Sequence, residues 1–293
     1  VIIVSTKPLA SFFLRLGRFL INTKPQIIIF MGIGPVELIT LFAVKCNRIP
    51  HVVRLGGDRS KDLNAVGETM WTKGLYTSWA RCKLEQIITR IFLMNIRSAI
   101  VVNESLVSNL TRKLKHPHKV HVIPQFCEGE GIDRNYSMSS ITQLLTVSNF
   151  RYRNKAAGAI WLIQQLILIV KSSDLTINFK IIGGGLHLDD IYSFLEITEL
   201  PASLTIEVLG FVSDLEKHYQ NADAFLYHST HDATPNVILE SKKNGLPLLI
   251  NDCEQFRNLS THTVSALLYR DENQFRNYLF QLLENETLRE RLG

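Results

Sequence analysis

Residues 232–247 read DATPNVILESKKNGLP and follow closely on the apolar run Ala224–Tyr227. A short run of that composition reads as a buried strand, and the polar stretch after it as a loop carrying one acid, Asp232. Pro235 opens a helix, because its fixed φ suits a first helical turn and its missing N–H costs nothing there. Glu240 then lies about a turn inside that helix, and Gly245 with Pro247 ends it before the next apolar run, Leu248–Ile250. Strand, acid-bearing loop, helix, strand is a βα unit feeding a parallel sheet. Its two carboxylates, Asp232 and Glu240, are expected to approach one cleft. Carboxylates suit sugars because each accepts two hydrogen bonds from neighbouring hydroxyls, while the amides of a helix start favour a phosphate.

The same alternation extends outward in both directions. Further candidate strands are Ile27–Phe30, His51–Leu55, Ala99–Val102, Val120–Ile123, Leu144–Val147, Phe179–Ile182 and Ile206–Leu209. Val36–Cys46 reads as a helix opened by Pro35. Leu9, Phe12, Phe13, Leu16, Phe19 and Leu20 fall on one face of a helix over Leu9–Asn22, which is expected to pack on the sheet. Residues 124–140, PQFCEGEGIDRNYSMSS, lack any period and contain glycines, and so form the best linker. The expected division is residues 1–135 and 136–293, an α/β fold of two parallel-sheet domains with a cleft between the carboxyl ends of their strands.

Charge changes sign at that linker. The net charge of +5 is the sum of +10 over residues 1–135 and −5 over the remainder. A basic half suggests an anionic partner, such as a phospholipid surface or a phosphorylated acceptor. Arg15 and Arg18 on the first helix, and Arg112, Lys113, Lys115 and Lys119, are the candidate groups. Nucleic acid is not expected, since the cations are scattered and neither zinc-finger spacing nor an aromatic RNA-binding signature occurs. Cys46, Cys82, Cys127 and Cys253 stand far apart, without CxxC or zinc spacing, so no metal site and reduced thiols are expected. The longest apolar stretch, Ala159–Val170, is too short to span a bilayer, and the opening VIIVSTKP lacks the features of a signal peptide. A cytoplasmic location follows as the expectation, with peripheral contact at the inner face of the membrane left open.

Three other segments carry candidate chemistry. Ile181-Ile182-Gly183-Gly184-Gly185 runs from a strand into a turn where missing side chains let a backbone approach a phosphate or a helix pack closely. Val208-Leu209-Gly210-Phe211-Val212 precedes Ser213-Asp214-Leu215, a candidate helix cap. Leu144–Gly158, LLTVSNFRYRNKAAG, places Asn149, Arg151, Arg153 and Lys155 after a strand.

Taken in this order, the segments resemble glycosyltransferase family 4, the group 1 glycosyl transferases of GT-B fold. The usual motif there is E-G-x-P-x-x-x-x-E-A-x-x-x-G-x-P. Pro235, Glu240, Gly245 and Pro247 keep its spacing, and Asp232 stands where the first Glu is usual. The resemblance implies two Rossmann-like domains and retaining transfer of a sugar from a nucleoside-diphosphate sugar, in glycan, polysaccharide or glycolipid synthesis. It implies no cofactor and no essential metal. Glu240 would bind the ribose diol and Asp232 the donor sugar, beside Pro235 and Asn236. Lys155 would sit on the diphosphate, with Arg151 or Arg153 replacing the Arg whose place Asn149 takes. Gly183, Gly184, Gly185, Phe211 and Val212 would line the nucleotide.

In the N-terminal half, Ile49–Asp58 resembles the strand ending near the reacting centre, with Gly57 in place of the usual His and Asp58 at the cleft edge. The acceptor would be a sugar or a lipid-linked sugar. Against the family pattern the first strand and the last crossing helix look absent. The alternative is a catalytically inactive nucleotide-sugar-binding protein, because that His is replaced. A glycoside hydrolase would need two carboxylates flanking one bond, and a dinucleotide dehydrogenase a GxGxxG that the Gly183–Gly185 turn does not supply.

Overall fold

The computed structural model describes residues 9–112, 114, 119–127, 131–132, 134–136, 142–230, 232 and 234–293. The chain divides into two compact units, Val1–Pro124 and Gln125–Gly293, and the division falls at the start of the polar stretch 124–140.

The N-terminal unit runs α1 (Leu9–Thr23), β1 (Ile28–Phe30), α2 (Pro35–Cys46) and β2 (His51–Leu55). A helical hairpin of α3 (Arg59–Thr72) and α4 (Tyr76–Asn95) follows, then β3 (Ala99–Val101), α5 (Ser105–Thr111) and β4 (Val120–Val122). Its four strands are parallel in the order β1-β2-β3-β4. Phe30, Val53, Ala99 and Val101 face a core closed by Leu41 and Val44 of α2, Phe92 and Leu93 of α4, and Leu106 and Leu110 of α5. Phe30 meets Phe92 edge to face, with ring centroids 5.2 Å apart, the geometry that aromatic quadrupoles favour. Leu16 and Leu20 of α1 join this core while Arg15 and Arg18 stay exposed, as the spacing of its apolar residues predicts.

The C-terminal unit contains β5 (Thr142–Val147), α6 (Arg153–Lys171), β6 (Ile177–Ile182), α7 (Leu188–Glu196) and β7 (Leu204–Gly210). The chain continues through α8 (Glu216–Gln220), β8 (Ala224–Tyr227), α9 (Asn236–Lys243), β9 (Leu248–Asn251), α10 (Glu254–Arg257), β10 (Leu267–Tyr269), α11 (Glu272–Glu284) and α12 (Glu286–Leu292). Its six parallel strands stand in the order β10-β9-β8-β5-β6-β7. The chain therefore winds outward from β5 to one edge, returns, and winds to the other from β8. This doubly wound order puts a topological switch point between β5 and β8, where open α/β sheets bind ligands beyond the carboxyl ends of their strands.

Alternate residues of each central strand enter different cores. Leu144, Phe179, Ala224 and Leu226 pack with Leu162 and Leu166 of α6 and Phe275 of α11. Leu145, Phe225, Tyr227, Leu248 and Ile250 pack with Ile238 of α9 and Tyr219 of α8. Burial on both faces explains why these strands read as unbroken apolar runs. The sequence reading lacks β10, the short run Leu267–Tyr269 at the edge of this sheet. It also expects a side-chain cap from Ser213 or Asp214, and the structure corrects this. Helix α8 starts later, at Glu216, with Leu215 at its N-cap and no side-chain cap, and Asp214 instead pairs with exposed Lys217 at 3.2 Å. Pro235, similarly, is the N-cap of α9 rather than its first residue.

The chain entering the C-terminal unit is strapped to it. Arg134 donates to the carbonyls of Tyr219 and Asn244, and Tyr136 Oη donates to the carbonyl of Gly245 at 3.1 Å. Buried Arg289 of α12 donates twice to the Tyr136 carbonyl, at 3.0 and 2.8 Å, and once each to those of Leu282 and Leu283. One guanidinium thus satisfies three carbonyl groups and ties the last helix to the incoming chain.

Gly158, on the inner face of α6, lies directly against the backbone carbonyl of His228 at the end of β8, and a Cβ there would overlap that oxygen. Alanine is the better helix former by about 1 kcal/mol. Overpacking against backbone costs more, about 1–3 kcal/mol. Gly158→Ala is therefore expected to lower the melting temperature, measured by calorimetry; a rise would show that α6 can shift away from β8 without cost.

Candidate functional site

The switch point brings together the start of α6 and the loop leaving β8. Lys155, in the first turn of α6, is 7% exposed. Its ammonium forms a close ion pair with Asp232 and donates to Tyr227 Oη at 2.7 Å and Ser229 Oγ at 3.1 Å. Tyr227 Oη in turn donates to Asp232 Oδ2 at 2.7 Å, and the ammonium lies 5.1 Å from the centre of the Tyr227 ring. Burial, then the Asp232 charge, raise the Tyr227 phenol well above its ordinary range, so it acts as a neutral donor. A buried ammonium needs such a shell, since an unpaired charge in this position would cost several kcal/mol.

The loop that supplies the shell is itself fixed. Asn251 at the end of β9 accepts from the Ser229 amide at 2.9 Å and donates to the Ser229 carbonyl at 3.0 Å. His228 stacks on Trp161 of α6, centroids 4.2 Å apart, and shares a 2.9 Å hydrogen bond with Tyr269. Burial lowers the His228 pKa to about 4, so its ring is neutral at physiological pH.

Glu240 lies in the second turn of α9, where Tyr219 Oη donates to its Oε2 at 2.9 Å. Burial and the Glu240 charge push the Tyr219 phenol far above its ordinary range, keeping the proton available for that bond. The hydrogen bond leaves Glu240 with acceptor capacity in a half-buried place. Pro235 is buried at the N-cap, and Asn236 is exposed at the helix start.

Two of the three glycines, Gly183 and Gly185, share one role. Gly183 and Gly185 have φ of 137° and 149°, which favour glycine. A Cβ on Gly183 would overlap the Ser148 carbonyl, and one on Gly185 the backbone of Phe150 and Arg151. Both therefore make room for the loop after β5, which is held by Phe150 N–H to the Gly184 carbonyl at 3.1 Å and His187 N–H to the Phe150 carbonyl at 2.8 Å. Within that loop, Asn149 Oδ1 accepts from the Arg151 amide at 3.0 Å. The Arg151 and Arg153 side chains are exposed. Phe211 is 85% exposed just past β7, and half-buried Val212 packs on the core beneath.

Asp58 belongs to the N-terminal unit. Its Oδ1 caps α3 by accepting from the Ser60 and Lys61 amides at 3.1 and 3.4 Å, so its immediate work is local. Arg59 beside it pairs with Glu85 of α4 at 2.9 Å. The four cysteines are free thiols, and among the described residues no group of three or more His, Cys, Asp or Glu could hold a metal ion. Tyr227, Ser229, Asn251 and Tyr219 are the residues that sequence reasoning misses. Tyr227 and Ser229 flank the end of an apolar run, and hydroxyls at a strand's carboxyl end beside the switch point are the only signal they give.

Two parallel α/β sheets, the second doubly wound with its polar cluster at the switch point, define the GT-B class, and solved structures share it. The chain superposes on S. aureus TarM, a variant in complex with fondaparinux, alpha-GlcNAc-glycerol and UDP, with TM-score 0.59 and 17% identity, over 72% of this chain and 41% of that one. Anabaena HepE in complex with UDP and glucose gives 0.66 and 14%, over 100% and 77%. WaaG, a glycosyltransferase involved in lipopolysaccharide biosynthesis, gives 0.61 and 12%, over 99% and 78%. The chain thus spans less than half of TarM and about three quarters of the other two. Residues 142–285, from β5 through α11, match the family described as glycosyl transferases group 1. No curated protein matches the chain in sequence.

The ion pair makes an asymmetric prediction about stability. Removing Asp232 takes the carboxylate from a buried ammonium, whereas removing the ammonium leaves a carboxylate nearer to water. Asp232→Ala is expected to destabilise by about 3–5 kcal/mol and Lys155→Met by clearly less, in urea unfolding. Equal losses would mean that Lys155 is hydrated in solution.

Proposed function

We propose that the protein is a glycosyltransferase that moves a sugar from a nucleoside-diphosphate sugar to an acceptor hydroxyl, with retention of anomeric configuration. The observation that carries the reading is the buried Lys155 ammonium at the switch point, shared between Asp232 and two hydroxyls. A cation in that place is what a departing diphosphate requires, because negative charge grows on it as the glycosidic bond breaks. The match of residues 142–285 to the group 1 glycosyl transferases supports the same reaction, as do the UDP complexes of TarM and HepE.

In this scheme Glu240 accepts the two ribose hydroxyls while Tyr219 holds its other side. The amides at the start of α9, next to Pro235 and Asn236, face the diphosphate with Lys155. Arg151 and Arg153, exposed at the start of α6, add charge at its edge, and Asn149 holds their loop. Gly184, Phe211 and Val212 border the base, with Gly183 and Gly185 keeping the backbone close. Asp232 turns from Lys155 to the hydroxyls of the donor sugar. As the donor binds, the diphosphate takes over the ammonium that Asp232 holds before it.

The bond between the anomeric carbon and the diphosphate oxygen breaks with its electrons going to the diphosphate. A bond forms from the same carbon to the acceptor oxygen, whose proton passes to the departing phosphate. The protein supplies position and charge, and no metal is assigned a step. The acceptor, a sugar or lipid-linked sugar in glycan, polysaccharide or glycolipid synthesis, is assigned to the N-terminal unit with Asp58. We place the reaction in the cytoplasm, at or near the inner face of a membrane.

Two substitutions test the assignment. Glu240→Ala should weaken binding of the preferred nucleoside diphosphate by at least about tenfold with the fold intact, since a hydrogen bond to a charged group contributes about 1.5–3 kcal/mol. Titration calorimetry against UDP, GDP and ADP reads this, and unchanged affinity removes the ribose role. Lys155→Ala should lower kcat by more than it raises KM, because its charge matters most as the diphosphate leaves. An effect confined to KM makes Lys155 an anchor for the bound donor instead.

A further inference from the structure

Helix α4 is apolar on two opposite faces. Cys82, Thr89, Phe92 and Leu93 are buried in or beside the core of the N-terminal unit. On the far side Leu84, Ile87, Ile91 and Met94 are 57%, 56%, 38% and 54% exposed. Their spacing of three, four and three residues forms one straight seam along a helix of 20 residues, about 30 Å long. A surface helix normally turns charged residues outward, so a continuous exposed seam marks a contact surface.

The surroundings of the seam say what it contacts. Arg81, Lys83 and Arg90 are exposed beside it, and the single acid of α4, Glu85, is half-buried and paired with Arg59 and Arg81 at 2.9 and 3.4 Å. The hairpin over residues 59–95 carries six Lys and Arg against three Asp and Glu. At the amino end of α4, Trp71, Tyr76 and Trp79 form an aromatic cluster, with Trp71 5.1 Å from Tyr76 and 5.0 Å from Trp79. Trp71, Leu75 and Tyr76 are exposed, and Lys83 lies 5.9 Å over the Trp79 ring.

Aliphatic seam, flanking cations and amphipathic aromatics at one end are the composition of a helix lying in a membrane interface. A second copy fits the seam poorly. The positions flanking a seam of this spacing hold Arg81, Lys83, Ile88, Arg90 and Asn95, so two copies would set cation against cation without an acid to pair.

We propose that the outer face of α4, with the Trp71–Tyr76–Trp79 cluster, docks on an acidic lipid surface. The seam enters the acyl boundary while Arg81, Lys83 and Arg90 meet anionic headgroups. This surface differs from the cations that the sequence alone singles out. Arg15 and Arg18 lie on the exposed side of α1, Arg112 follows α5, and Lys113 and Lys115 fall outside the described residues. The docking does not depend on the transferase reading.

The test is co-sedimentation of the full chain with phosphatidylcholine vesicles, pure or mixed with phosphatidylglycerol, at low and high salt. Binding to the acidic vesicles alone, weakened by salt, is expected, together with a blue shift of the fluorescence of Trp71 and Trp79. Ile87→Gln with Ile91→Gln, and separately Lys83→Glu with Arg90→Glu, should each weaken binding by at least about tenfold, a single cation near such a surface accounting for about fivefold. Arg15→Glu with Arg18→Glu should weaken it by less. The charge pair sits on the surface and decides the matter if the Ile variant fails to fold. Absent or equal binding to the two vesicle types, α4 variants that bind like the parent, or a seam that instead mediates self-association would each overturn the proposal.

Discussion

The buried ammonium of Lys155 is the constraint around which the C-terminal unit is arranged. A cation 7% exposed must be compensated where it stands, and the end of β8 contributes through Tyr227 and the loop after it through Ser229 and Asp232. The compensation requires the loop after β8 to lie against the start of α6. That closeness accounts for Gly158 against the His228 carbonyl and for His228 stacked on Trp161. Asn251, one strand further, then holds Ser229 by both its backbone groups. The doubly wound order of the sheet is what makes β5 and β8 neighbours and allows the pair to form at all.

The same arrangement separates structural from chemical duties among residues that look alike in sequence. Gly183 and Gly185 bring the loop after β5 close to the turn after β6, so their missing side chains are filled by the protein's own backbone. Arg151 and Arg153 stand exposed at the start of α6, while Lys155, two residues on, is enclosed. Under the proposed function this division has a use. The enclosed charge is held in position before the donor arrives and costs little to reorganise, and the exposed ones can follow the diphosphate as it enters and leaves.

Much of the fold is legible in sequence because a parallel sheet covered on both faces writes its strands as apolar runs. Ala224–Tyr227 and Leu248–Ile250 are of this kind. Strand β10, the run Leu267–Tyr269, is missing from that reading. At the site, the spacing of Pro235, Glu240 and Gly245 marks α9, and Lys155 and Asp232 stand out by type. Their pairing does not, because it depends on the order of strands rather than on distance along the chain. Tyr227, Tyr219 and Asn251 stay hidden for the same reason, each reading as an ordinary strand, helix or loop residue until its neighbour is known. The outer seam of α4 is present in the spacing of Leu84, Ile87, Ile91 and Met94, but spacing alone cannot tell an exposed apolar face from a buried one.

The most direct test of the account is a crystal structure of the chain with the nucleoside diphosphate that stabilises it most in a thermal-shift panel of UDP, GDP and ADP. The account predicts the diphosphate at the switch point within hydrogen-bond distance of Lys155 Nζ, the ribose hydroxyls on Glu240, and Asp232 released from the ammonium. A nucleotide bound elsewhere, with the Lys155–Asp232 pair unchanged, would contradict it.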